Sequence, residues 1–115
     1  MKACEGGVCA AKGFYAAGVH AGVKASSAPD KKDLMLIYSA EPCNAYGMYT
    51  KNQVKAASVL LTMEHLQNGR AQAVVANSGN ANACCDGSME NARRMCSAAA
   101  AALGVPAEDV AVGST

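Results

Sequence analysis

The pattern of apolar and polar positions changes most sharply between Ala71 and Cys85. Ala73-Val74-Val75-Ala76 is a continuous apolar block that runs straight into Asn77-Ser78-Gly79-Asn80-Ala81-Asn82. That order predicts a buried strand emptying into a polar, conformationally permissive loop. A helical period follows: Ala92, Met95, Cys96, Ala99 and Leu103 fall on one face and predict a helix over 88–103. Ser88 or Asp86 is placed to cap its start, the alanines at 98–102 favour helix, and Gly104 followed by Pro106 marks its end. Small residues on that helix imply close packing on a sheet. Pro106 to Asp109 predicts a short turn, and Val110-Ala111-Val112 a last strand.

Upstream the pattern is denser in glycine. Residues 7–24 mix small and β-branched side chains, as expected for short strands joined by tight turns, with Gly13, Gly18 and Gly22 at turns or close contacts. The polar run 25–32 contains the first proline and predicts an exposed connection. Asp33 to Ser39 is nearly continuous in apolar residues and is closed by Glu41-Pro42, the signature of a strand covered on both faces. Tyr46 to Thr50 is its expected pairing partner. From Val54 to Thr62 strand and helix compete; Val59-Leu60-Leu61-Thr62 reads as a strand end and Thr62-x-x-His65 completes no capping box, so strand is expected to about Leu61, then a short helix over 63–67 that Asn68-Gly69 stops. Together these elements predict an α/β fold, a mixed β-sheet with a long packed helix. There is no internal repeat and no low-complexity segment.

Totals narrow the function classes. At 115 residues the chain suits a single domain spanning 1–115, and with 51% apolar residues it can bury a core. The net charge of +1, with basic residues spread out, gives no electrostatic case for nucleic acid or an anionic membrane as partner. No apolar run approaches the roughly 20 residues that would span a bilayer, and no signal peptide opens the chain. The expectation is a soluble, cytoplasmic protein. Its six cysteines contain no C-x-x-C pair, and Cys84 and Cys85 are adjacent, so the spacing is poor for zinc. All six read as free, small hydrophobes, with a cysteine-bearing redox or metal protein as the competing class.

Candidate chemistry concentrates at the end of the apolar block. Asn77, Asn80 and Asn82 supply amide donors and carbonyl acceptors without charge, in a loop held between a strand and a helix. Asn and Gly are equally ordinary turn residues. Ser114-Thr115, directly after the last strand, can present backbone N–H groups and a hydroxyl to an oxyanion. His20 and His65 carry no motif and read as structural, the acidic residues form no paired pattern, and no phosphate-binding G-x-x-x-x-G-K-[ST] is present.

Several blocks in order resemble the amino-terminal part of the bifunctional ornithine acetyltransferase (glutamate N-acetyltransferase) family of arginine biosynthesis. They are Gly7-Val8-x-Ala10-x-Lys12-Gly13-Phe14 with Gly18-Val19-x-Ala21-Gly22-x-Lys24, the run Lys31 to Ser39, Thr50-x-Asn52-x-Val54-Lys55-Ala56-Ala57, Glu64-His65-Leu66, Asn77 to Cys84, Ala92-Arg93-x-Met95, Ala102-Leu103-Gly104-x-Pro106 and Ser114-Thr115. Asn77 to Cys84, NSGNANAC, is the most specific. Departures at Cys9, Cys43, Tyr46, Cys85 and Gly113 leave every motif intact.

The resemblance implies the amino-terminal part of an α/β sandwich and a fragment of the family's α chain. It implies a precursor that cleaves itself between Ala and Thr in a downstream segment, freeing a threonine nucleophile on a β chain of an α₂β₂ assembly. That threonine takes acetyl from N-acetylornithine and passes it to glutamate; bifunctional members also accept acetyl-CoA, and no cofactor or metal is held. Thr115 corresponds to the threonine of the family's Thr-Gly oxyanion hole. Alone, the chain lacks the nucleophile and is expected to be inactive. The other reading is a self-standing, non-catalytic homologue that binds an amino-acid or acyl ligand through Asn77, Asn80 and Asn82.

Overall fold

A computed structural model describes residues 5–24, 28–81 and 83–115. Four strands form one sheet in chain order, β1 (Phe14–Val19), β2 (Leu34–Asn44), β3 (Arg70–Asn77) and β4 (Val110–Ser114). β1 pairs antiparallel with β2 and β2 antiparallel with β3, while β3 and β4 run parallel. The parallel pair needs a crossover, and α2 (Ser88–Leu103) supplies it; α1 (Ala57–His65) lies between β2 and β3. This is the expected mixed sheet with a long packed helix.

The core follows from period two meeting period 3.6. Ala73 and Val75 of β3 and Val110 and Val112 of β4 point to one face, where Ala92, Cys96 and Ala100 of α2 and Leu61 of α1 close over them. Ala92 and Cys96 are essentially inaccessible, so small side chains bring the α2 backbone close to the sheet. The predicted helical stripe is confirmed, with Met95, Ala99 and Leu103 packed at its border. Gly104, at φ 70°, turns the chain out of α2, and the Val105 N–H reaches back to the Ala100 carbonyl at 3.1 Å. That is a left-handed glycine stop closed by a 6→1 bond. The start of α2 differs from expectation: Gly87 occupies the cap in a left-handed conformation, and neither Ser88 nor Asp86 makes a capping bond among the described residues.

Val54 to Leu61 is the main correction. Residues 57–65 are helical, and Ala57, Ser58 and Leu61 form the buried stripe. The reason lies outside the segment. β4 is an edge strand whose outward N–H and C=O groups need partners, and α1 provides them one turn apart. The Val112 N–H donates to Thr62 Oγ1 and the Thr62 hydroxyl donates to the Val112 carbonyl, both at 2.9 Å. His65 Nδ1 meets the Val110 carbonyl at 2.8 Å. Only a helix places residues 62 and 65 on one face.

β2 also departs from expectation. It continues past Glu41-Pro42 to Asn44 through a bulge between Tyr38 and Cys43, the one place a proline fits within a ladder. Ser39 Oγ accepts from the Glu41 N–H and donates to the Glu41 carbonyl, and Gln72 Nε2 donates to the Ser39 carbonyl, so the bulge is held by side chains. Its partners are β1 and β3. Tyr46 to Thr50 forms no strand, and Tyr46 and Met48 are more than nine-tenths exposed. Nor is β2 covered on both faces: Leu34, Leu36 and Tyr38 pack against the core, while Met35 is 40% exposed because both helices lie on the other side. Residues 7–24 give one strand rather than several, with a short helical turn over Gly7–Ala10; Gly13 and Gly22 are turn positions, and Gly18 sits inside β1.

Among the described residues no helix is long and apolar enough to cross a membrane, and the cysteines are free. Cys96 behaves as a small hydrophobe: burial pushes its thiol up to about 11, against a weaker opposing effect of the Arg93 charge. Cys9, Cys84 and Cys85 are exposed instead, and Cys4 lies outside the described residues.

Candidate functional site

The parallel pair β3 and β4 ends at one rim of the sheet, and both sequence candidates meet there. The Thr115 N–H donates to the Asn77 carbonyl at 3.0 Å, and the Gly79 N–H donates to the Thr115 carbonyl at 2.8 Å. Thr115 therefore continues the parallel ladder with both backbone groups committed. It borders a cavity of about 250 Å³ that Gly18, Lys32, Asp33, Ala76 and Ser78 also line. Asn77 borders this cavity and also a wider cleft of about 470 Å³ toward α2, flanked by Asn80, Asn91 and Arg94.

The asparagines have distinct places. Asn77 is buried, and its Nδ2 donates to the Asn80 carbonyl at 3.1 Å. Ser114 Oγ donates to the same carbonyl at 2.8 Å. Asn80 is exposed, and Asn82 lies outside the described residues. Gly79 has φ +97°, and a Cβ there would stand 3.2 Å from Lys24 Cβ, so glycine is required both by conformation and by the close approach of the 20–24 loop.

Asp33 organises this rim, and the sequence reading passed over it. It is 4% exposed, and its carboxylate accepts from the Ala21 N–H at 2.6 Å and the Val23 N–H at 2.8 Å. Its backbone donates to the Val19 carbonyl and accepts from the Ser78 N–H at 2.9 Å. One residue thus ties β1, the 20–24 loop and the Asn77–Asn80 loop together. The available signal was an acid wedged between Lys31-Lys32 and an apolar strand, where a charge must be paired or hydrogen-bonded. His20, whose Nδ1 meets the Lys31 carbonyl at 2.8 Å, is structural as expected.

The Ala21 N–H, with help from the Val23 N–H and from His20 at 4.0 Å, holds the Asp33 carboxyl below the usual carboxylate range, against the opposing effect of burial. The native state therefore binds the proton more weakly than the unfolded chain. The stabilisation is fully present above the ordinary aspartate pKa and is lost as pH falls through the lowered native value. Urea unfolding across pH is expected to show Asp33→Asn less stable than the parent near neutral pH, with the margin shrinking below about pH 4. A margin that does not change with pH would contradict this role.

The described residues hold no cluster of three or more His, Cys, Asp or Glu side chains able to take a metal ion. What the rim offers is a hydroxyl beside a cavity, fixed by a glycine-bearing loop at the carboxyl ends of parallel strands, the place where α/β proteins bind ligands.

An α/β protein with a cavity-lined rim at a parallel strand pair is the class that fold and candidate site define. Within it, the chain belongs to the ArgJ family, whose model matches residues 15–115. It is 50% identical over its whole length to the arginine biosynthesis bifunctional protein ArgJ of Symbiobacterium thermophilum, of which it covers 29%. It is 47% identical to that of Caldanaerobacter subterraneus, covering 28%. The chain thus spans less than a third of the curated relatives it matches. Among solved structures it superposes at TM-score 0.85 on ornithine acetyltransferase of Mycobacterium tuberculosis complexed with ornithine, at 44% identity, with 94% of this chain and 58% of that chain covered. Against the ArgJ protein of Bacillus halodurans the TM-score is also 0.85, at 38% identity, with 95% and 56% covered.

Proposed function

We propose that this chain is the amino-terminal part of the α chain of an acetyltransferase that moves acetyl from N-acetylornithine to glutamate. A threonine nucleophile freed by self-cleavage on a β chain attacks the acetyl carbonyl. The carbonyl oxygen becomes an oxyanion, the C–N bond breaks, and ornithine leaves as the amine once protonated. The glutamate amine then attacks the acetyl-threonine ester, and the threonine oxygen recovers its proton as N-acetylglutamate departs. Acetyl-CoA enters the same scheme as a second donor. The assembly is α₂β₂ and cytoplasmic, and the present chain without its partner is inactive.

The observation that carries this reading is the position of Thr115. Its backbone groups are both used by β3 and its loop, so the hydroxyl at the cavity is the group available to an oxyanion. Such a donor stabilises the transition state by about 3 kcal/mol. The 44% identity to an ornithine acetyltransferase supports the substrate class. The test uses the product of the complete gene, incubated with N-acetylornithine and glutamate. Equimolar ornithine and N-acetylglutamate, together with a second chain beginning in threonine, are expected; a folded protein that makes neither product overturns the proposal.

A further inference from the structure

Three hydrogen bonds join the Asn77–Asn80 loop to the end of β4, and a fourth lies within the loop. Two run through the backbone of Thr115, to the Asn77 carbonyl and from the Gly79 N–H. The other two converge on the Asn80 carbonyl, from Asn77 Nδ2 at 3.1 Å and Ser114 Oγ at 2.8 Å. One carbonyl thus accepts from both strands of the parallel pair. The ring holds its shape at a cost: Asn77 is 8% exposed, yet its Oδ1 has no partner among the described residues. An unsatisfied buried acceptor is unfavourable, and a smaller apolar side chain would avoid it. What asparagine provides that such a residue cannot is the Nδ2 donor to Asn80, and turning the amide over would set Oδ1 against that carbonyl.

We infer that Asn77 and Ser114 are positioning residues: Asn77 holds the Asn80 carbonyl from the end of β3, Ser114 ties the same carbonyl to β4, and together they fix where the Thr115 hydroxyl stands. This rests on the reading of Thr115 as an oxyanion donor. Neither side chain touches substrate in this scheme; Asn77 acts through the loop that binds the Thr115 carbonyl, and Ser114 through the residue next to Thr115. A misplaced oxyanion donor weakens the transition state and leaves the ground state alone, so the effect belongs in kcat.

The test is a double-mutant cycle on the product of the complete gene, with the acetyl-transfer assay as readout. Ser114→Ala is expected to lower kcat about tenfold with KM within about twofold, the size of one lost hydrogen bond. Ser114→Thr keeps the hydroxyl and is expected to restore kcat. Asn77→Ala is expected to lower kcat similarly, and the Asn77→Ala, Ser114→Ala pair to fall short of the product of the two effects. In a Thr115→Val background, Ser114→Ala is expected to change kcat by less than about twofold, because its effect passes through the missing hydroxyl. An equal fall from Ser114→Ala in both backgrounds, or a rise in KM with kcat unchanged, overturns the positioning role while leaving Thr115 as the donor. A Thr115→Val protein with undiminished kcat overturns the reading of Thr115, and the positioning role with it.

Discussion

Replacing Thr115 by valine in the product of the complete gene is expected to lower kcat for acetyl transfer by about two orders of magnitude with KM little changed. Valine keeps the shape and β-branching of threonine and loses only the hydroxyl. The strand end should survive the change, since the bonds to the Asn77 carbonyl and from the Gly79 N–H are made by the Thr115 backbone. On the proposed reading, the loss falls on a donor to the oxygen of the acetyl group as charge develops there, and kcat and kcat/KM should drop together. Thr115→Ser keeps the donor and should retain most of the rate. Steady-state kinetics on the two variants decide the matter: equal, near-parental rates would show that the hydroxyl has no part in the chemistry.

The largest effect on stability is expected at Thr62. Thr62→Val is again nearly isosteric, but it strips both partners from Val112, which is 6% exposed. A buried N–H and a buried C=O left unpaired cost about 1–3 kcal/mol each, so a loss of about 3 kcal/mol is expected in urea denaturation. Thr62→Ser should lose less than about 1 kcal/mol, because the hydroxyl remains to serve both groups. If valine and serine proved equally stable, the edge of β4 would have to be satisfied in some other way.

The parts of the fold that could be read from the sequence are those whose cause is local. β3 and its loop announced themselves by an apolar block meeting asparagines and glycine. The α2 helix carried a helical stripe with a glycine stop, and the turn before β4 carried its proline. Residues 57–65 were misjudged because Val59, Leu60 and Leu61 suit either period, and the deciding interactions, Thr62 and His65 against β4, join residues 45 to 50 positions apart. Pro42 read as a strand end because nothing nearby in sequence reveals a bulge held by Ser39 and Gln72. At the candidate site, Asn77 and Thr115 were marked as candidates from the sequence, the latter only through family resemblance, and the fold brings the two together. Asp33 was signalled only by an acid set against an apolar strand; its partners, the Ala21 and Val23 N–H groups that the turn after β1 brings to it, were not legible.

The order of strands across the sheet has a consequence for synthesis. Because β1, β2, β3 and β4 lie side by side as they occur in the chain, each strand emerging from the ribosome finds its neighbour already made, and none must be threaded between two partners. Domains fold as they are made, amino-terminal part first, so the sheet can grow outward from β1. β4 arrives after β1, β2 and β3 and carries the chain to Thr115, and the Asn77–Asn80 loop has no β4 to grip until then. The rim is thus completed when the elements that support it are already in place.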